Sequence, residues 1–366
     1  VAVGRCIAAA AGAVAAAAAV AAAGAGVESN ERSKIMNAIL HHMLRSIRLS
    51  ALAAGLAAMP AAALAQQQPD QPAQAVGAAN ADEDPGIFAL EAEEDPPLFD
   101  NAEAAVDAFK KALAADDFDG LAKLLGLDAA KLRKADGVMD TYAQIREGAA
   151  KKLVVVDIDN GKILQIGEKL WPFPFPLLKG EDGKWAFDSE AGLEEIVNRR
   201  VGENELEAIA TMRAYVEAQE DYAEADHDGD GVEEFAQKLI SGEGATDGLY
   251  WPADEVNGDS PAGDLNQAEL EDASKGEGYF GYRFKILTSQ GDNIAGGAYD
   301  YVINGNMIGG FGLLAWPVKY AETGVKTFGV NQQGIVYETD LGPATGQIVK
   351  YIDRFNPDDS WSVVKD

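Results

Sequence analysis

From Leu98 onward the apolar positions fall into regular patterns. In "NAEAAVDAFKKALAADDFDGLAKLL", Ala105, Phe109, Ala112 and Leu113 recur at steps of three and four, which places them on one helix face. Asn101 stands at the N-cap position with Glu103 in the first turn, and a second helix is predicted over Asp117–Leu125, stopped by Gly126. Beyond "AQIREGAAKK" the period shortens from helical to alternating. Val154–Ile158 and Lys162–Ile166 flank Asp159-Asn160-Gly161, a hairpin signal, and Pro176–Leu178 and Trp185–Phe187 flank Asp182-Gly183 in the same way. "WPFPFP" (171–176) cannot be a central strand, because its prolines remove ladder donors; it is expected to be a rigid edge crossing.

A longer helix is predicted over Glu203–Ala225, with Ile209, Met212, Val216 and Tyr222/Ala223 as its buried stripe and Arg213, Glu217 and Glu220 facing away. An aspartate-rich loop follows, then "VEEFAQKLI" as a short helix and an irregular stretch from "GLYWP". Strands are expected over Gly281–Leu287, Tyr299–Val302, Gly312–Trp316, Val325–Val330 and Ile335–Glu338, separated by polar or Gly-rich turns such as "NQQG" at 331–334. The predicted class is α+β in two lobes, 98–190 and 191–366. By element order the first resembles the nuclear-transport-factor-2-like shape, helices over a curved sheet. The second, one long helix, an acidic loop and an antiparallel sheet, resembles the globular part of type IV pilins and type II secretion pseudopilins. It departs from true pilins in one respect. Their assembly needs an apolar N-terminal helix, whereas this helix lies mid-chain and carries Arg213, Glu217 and Glu220.

The N-terminal region changes the chemical inventory. Residues 1–27 are dominated by Ala, Gly and Val. "MLRSIRLSALAAGLAAMPAAALAQQQ" then begins at Met43, with Arg45 and Arg48 as a basic region, an apolar run, and Ala63-Leu64-Ala65 as a small-x-small cleavage site. The expectation is an upstream extension over 1–42, a signal peptide over 43–65, a Gln/Pro/Ala-rich linker over 66–97, and a periplasmic or secreted product without a membrane span. A transmembrane helix over 3–26 is the other reading, allowed by length but made largely of weakly hydrophobic alanine. Cleavage near Ala65 removes Cys6, the single cysteine, and His41 and His42, leaving His227. A disulfide, a thiol nucleophile and a three-histidine zinc site are then excluded, and a Ser–His–Asp triad would depend on His227. The lost segment holds five Lys/Arg and two Asp/Glu, so the net charge of −30 deepens by three. Such a surface repels nucleic acid and anionic lipid and attracts cations.

"DHDGDGVEEF" (226–235) is the chief candidate site. Asp226, Asp228 and Asp230 fall at relative positions 1, 3 and 5 of a calcium loop, Gly231 at the turn, Val232 where a carbonyl ligand belongs, and Glu234 at the ninth position. The twelfth is Gln237 rather than a bidentate glutamate, so Glu233, Glu234 or a distant carboxylate has to complete the shell. The predicted ion is structural Ca2+; the alternatives are a solvated acidic turn without an ion and a catalytic or regulatory metal. His227 is expected to face solvent. Tyr250, Trp251, Phe311, Trp316 and Trp361 either line a carbohydrate or peptide groove or pack in core and edge. With so many acids any carboxylate pair for glycoside hydrolysis matches by chance; Asp247, beside Tyr250-Trp251, is the least unsuited of them. "RRVGENE" (199–205) reads as a structural ion-pair cluster, and Gly309-Gly310 as a bulge. No nucleotide motif, nucleophile elbow or basic–aromatic nucleic-acid patch is present.

Ordered motifs extend along the whole region: "WPFPFPLLK" (171–179), "WAFD" (185–188), "RRVGENE", "AQEDYA" (218–223), "DGDG" (228–231), "DGLYWP" (247–252), "GYRFKILTSQG" (281–291), "GGFGLLAWP" (309–317), "GVKTFGVNQQGIVYETDLG" (324–342) and "DDSW" (358–361). Together they resemble the bacterial secreted family known as domain of unknown function 2950, over about 98–366. The resemblance implies an exported bacterial protein with a compact two-lobed fold and carries no catalytic residue across. The expected function is a non-enzymatic envelope or periplasmic role in interaction or assembly, with envelope proteins as partners. The alternatives are a carboxylate-based hydrolase of envelope glycan or peptide, and a calcium-dependent adhesin.

Overall fold

Asn101 caps the first helix as its position predicts. Its side chain accepts the Ala104 N–H at 2.8 Å, and α1 (Ala102–Ala114) buries Ala105, Val106, Phe109, Ala112 and Leu113. In α2 (Phe118–Leu124) Asp117 takes the same role for Gly120 N–H, and the chain turns away where Gly126 adopts φ +67°. The computed structural model describes residues 86–365 except 136, 255, 264–272, 274 and 275. The expected extension, signal peptide and linker as far as residue 85 lie outside the described residues. Two compact units make up the fold, divided after Leu193.

The first unit begins earlier than expected. A 3-10 turn at Gly86–Leu90 buries Ile87 and Leu90, and Ala92 N–H bonds to Gly126 C=O at 2.9 Å. Residues 86–97 are thus part of the fold and not linker; their two apolar anchors are too few to show a period. After α3 (Ala129–Leu132) and α4 (Val138–Lys151) come β1 (Leu153–Ile158), β2 (Gly161–Ile166), β3 (Trp171–Pro172), β4 (Leu177–Lys179) and β5 (Trp185–Phe187). They form one antiparallel sheet, order β1-β2-β4-β5, with β3 also on β2. The Asp159-Asn160 turn closes the β1–β2 hairpin with Ile158 opposite Gly161. "WPFPFP" pairs over only two residues, as its prolines require, yet it is no mere edge crossing. Phe173 and Phe175 are fully buried, and Phe109 meets Phe173 edge-on at 5.1 Å and Phe187 at 5.8 Å. Each buried ring contributes roughly 1.5–3 kcal/mol.

The long helix α5 (Ser189–Tyr222) starts in the first unit and continues into the second. Asp188 caps it, accepting Ala191 N–H at 2.8 Å. Its start lies well before the expected Glu203, so "RRVGENE" is helical. Arg199 pairs with Glu195 at 2.8 Å. Arg200 donates to Glu322 C=O at 2.7 Å and Asn204 to Thr323 C=O at 2.8 Å, while Glu205 accepts from Val325 and Lys326 N–H, both at 2.9 Å. The segment therefore docks the helix on the 322–326 turn rather than forming only an ion-pair cluster.

Further along, α5 buries Ala208, Met212, Tyr215, Gln219 and Tyr222, while Arg213, Glu217 and Glu220 are exposed. It packs on an antiparallel sheet of β6 (Tyr282–Leu287), β11 (Gly312–Pro317), β12 (Thr327–Asn331), β13 (Tyr337–Thr339) and β14 (Ser362–Val363), order β14-β13-β12-β11-β6. Alternation along β11 sends Leu313 and Ala315 to the helix side and Leu314 to a second cluster with Leu287, Val349 and Phe355, so both faces are covered. Two short pairs lie between β6 and β11: β7 (Ser289–Gln290) with β8 (Tyr299–Asp300), and β9 (Val302–Ile303) with β10 (Asn306–Met307). "VEEFAQKLI" is not a helix. Its main-chain groups are taken by remote partners: Phe235 N–H by Met307 C=O, Ala236 N–H by the Gln219 side chain, and Leu239 C=O by Tyr250 N–H. The architecture is α+β.

Candidate metal centre

The end of α5 delivers the chain into the aspartate loop. Asp226 organises it: one carboxylate oxygen accepts Gly229 N–H at 2.7 Å and the other Gly231 N–H at 2.9 Å. Both glycines hold positive φ, +78° and +88°, a conformation that suits glycine alone at little cost. Asp228 accepts Asp230 N–H at 3.1 Å and Asp230 accepts Val232 N–H at 2.8 Å, so each aspartate closes a local turn. These turns point the side chains to one place. The three aspartates each offer an oxygen within 4.8 Å of the others, and all three residues are exposed. The Gly231 and Gly229 N–H groups hold the Asp226 carboxyl below its ordinary range.

A second set of bonds ties the loop to the β9–β10 hairpin. Asn306 Nδ2 donates to Asp230 at 2.6 Å, Met307 N–H to Glu234 at 2.8 Å, and Gln237 Nε2 to Gly305 C=O at 2.7 Å. Of the six predicted metal residues, Asp226, Asp228 and Asp230 come together. Glu234 is engaged with Met307, the Val232 N–H is bonded to Asp230, and Glu233 is exposed. Sequence reasoning missed Asn306 and the hairpin, although Asn304-Gly305 is a strong two-residue turn signal.

His227 does not face solvent as expected. Its ring stacks on Tyr222 at 4.0 Å and 19° and lies 5.7 Å from Trp251, with Nε2 3.1 Å from Tyr222 C=O. The loop reverses at the helix end, so alternation does not govern it. Burial pushes the neighbouring Tyr222 phenol up to about 12.

The aromatic set does not form one groove. Trp251 and Phe311 belong to the core between helix and sheet, whereas Trp316 and Trp361 pack on the opposite face of the sheet. Asp247 is ion-paired with Lys238 and accepts Gly242 N–H at 2.9 Å, and chiefly the Lys238 bond lowers its carboxyl pKa. A general acid needs the opposite shift. At Gly309 a side chain would meet Asp300 C=O at 3.1 Å, so glycine permits close backbone approach, and Gly310 sits at φ +139°.

Among the described residues no helix is long and apolar enough to cross a membrane. No curated protein and no solved structure matches the chain. The family described as "Protein of unknown function (DUF2950)" matches residues 97–364, which take in both units, α5 and the aspartate loop, and the chain belongs to that family.

Proposed function

We propose that this chain is an exported, non-enzymatic bacterial envelope protein with an interaction or assembly role, in which the aspartate loop binds calcium as a structural clasp. The observation that carries the calcium reading is the convergence of Asp226, Asp228 and Asp230 on a loop already bonded to the hairpin that buries Met307. An all-oxygen set is what calcium takes, and three carboxylates this close repel one another unless a cation sits among them. The Val232 carbonyl, Glu233, Glu234 and water are the groups at hand to complete the shell. Export rests on the 43–65 pattern. The helix-over-sheet order of each unit supports the nuclear-transport-factor-2-like and pilin-like readings. The Lys238 pair on Asp247 and the divided aromatics speak against the hydrolase.

Thermal unfolding with calcium or chelator tests the clasp. Calcium at a hundred times its Kd adds about 2.7 kcal/mol to the wild type, magnesium less, and Asp228→Ala abolishes the gain. A midpoint that ignores calcium, or a gain that survives Asp228→Ala, overturns the reading. Exposure of the three aspartates also suits a calcium-dependent adhesin. That reading gains if chelation releases the protein from a surface without changing the midpoint.

A further inference from the structure

Three Asn-Gly steps occur among the described residues: Asn160-Gly161, Asn257-Gly258 and Asn304-Gly305. Such a step carries its own reactive pair. The main-chain nitrogen of the glycine can attack the asparagine side-chain carbonyl carbon. A carbon–nitrogen bond forms, the amide nitrogen leaves as ammonia, and a succinimide results. Water then opens the ring to aspartate or to its β-linked isomer. No oxidant or reductant is needed. The reaction does need an unengaged glycine N–H, an unrestrained amide and space for the ring.

The fold separates the three steps on those terms. Gly161 closes the β1–β2 hairpin opposite Ile158, and a side chain there would lie 2.5 Å from Leu177 C=O. Gly258 N–H donates to Asp254 C=O at 3.0 Å, while the Asp254 carboxylate holds Asn257 by its N–H at 2.7 Å and its Nδ2 at 3.0 Å. Gly258 has open space at its Cβ position, as Gly305 does, but Asn304-Gly305 has neither the Asp254 clamp of Asn257-Gly258 nor the ladder pairing of Gly161. It is the exposed two-residue tip of the β9–β10 hairpin, with φ +55° and +103°. Gly305 is bonded through its carbonyl, to Gln237, and nothing lies within 4 Å of where its Cβ would be.

We propose that Asn304 is a site of spontaneous deamidation, chosen by the fold over the other two steps. The product adds a negative charge next to the aspartate loop. In its β-linked form it also adds a main-chain carbon to a two-residue turn. Both changes act where Gln237 holds Gly305 and Asn306 holds Asp230.

The test holds the folded full chain in warm, mildly alkaline buffer and follows the three peptides by mass spectrometry. The gain in mass marks amide-to-acid conversion, so isomerisation at Asp228-Gly229 or Asp230-Gly231, which leaves mass unchanged, does not interfere. The Asn304 peptide should convert at least about fivefold faster than either other peptide, the rate equivalent of one hydrogen bond that need not break. In denaturant the three rates should converge, and in Asn304→Asp the gain should vanish from that peptide alone. Equal rates in the folded chain, a faster Asn160 or Asn257, or a folded chain in which Asn304 does not convert would each overturn the proposal.

Discussion

Gln219 takes the place of a neighbouring strand for Ala236. From the buried face of α5 its Nε2 donates to Ala236 C=O and its Oε1 accepts Ala236 N–H, both at 2.8 Å. Gln219→Leu keeps the bulk but leaves both main-chain groups buried and unpaired, at a cost of about 2–5 kcal/mol. Urea unfolding reads this directly, and an unchanged midpoint would refute the role. A second residue-scale prediction concerns pH. The fold prefers the ionised form of Asp226, so its contribution is complete above the ordinary value of 3.8 and is lost as pH falls through the lower folded-state value. Tyr222 and Tyr301 are shifted the other way. Their folded-state pKa rises to about 12, chiefly through burial, so their contribution is complete below 10.0 and is lost as pH climbs from there through about 12. Unfolding midpoints across pH should show a plateau between these limbs, and Asp226→Asn should flatten the acid limb. At this scale the sequence is informative where partners are local. The Asn101 cap and the convergence of three alternating aspartates need only a few adjacent residues. Gln219–Ala236 and the stacking of His227 depend on contacts the fold creates, and no spacing announces them.

Within α5 two glycines make opposite predictions. Alanine is favoured over glycine in a helix by about 1 kcal/mol. At Gly202 a methyl group would meet nothing within 4 Å, so Gly202→Ala should stabilise by about that amount. At Gly192 the same methyl would lie 2.0 Å from the buried Phe175 ring, and overpacking of about 1–3 kcal/mol outweighs the helical gain. Thermal or urea unfolding of the two variants should give shifts of opposite sign; shifts of the same sign would refute the account. These glycines also explain why the sequence predicts a later helix start than the fold has. Their low propensity and the mixed charge of "RRVGENE" resemble a boundary, and only the contact with Phe175 shows why glycine is kept. "VEEFAQKLI" is the reverse case, with a helical spacing of Val232, Phe235, Ala236 and Leu239 but main-chain groups bonded to the Met307, Gln219 and Tyr250 positions. The β1–β2 hairpin was legible because its turn lies within the chain segment itself.

A net charge of −30 sets the behaviour of the whole molecule. Self-repulsion of that size destabilises a folded chain, and dissolved salt screens it. The melting midpoint should rise with sodium chloride and level off near 0.15 M, where the Debye length is about 8 Å. Calcium should act at far lower concentration if it is bound rather than merely screening, and a midpoint indifferent to sodium chloride would show that repulsion is not limiting. The positions of β6, β11, β12 and β13 were legible from alternation, but the order β14-β13-β12-β11-β6 was not, because β6 reaches β11 across two intervening strand pairs. Alternation also could not say that Trp251 and Trp316 lie on opposite faces. One consequence belongs to the join after Leu193. Domains are ordinarily separable at loops, where little hydrogen bonding is lost. Here the join falls inside a continuous helix capped by Asp188. A piece beginning at Glu194 would forfeit that cap and open on a raw turn of four unpaired N–H groups. The halves of this molecule can therefore be exchanged, inserted into or inherited separately only if the break is moved upstream of Asp188 or supplied with a new cap.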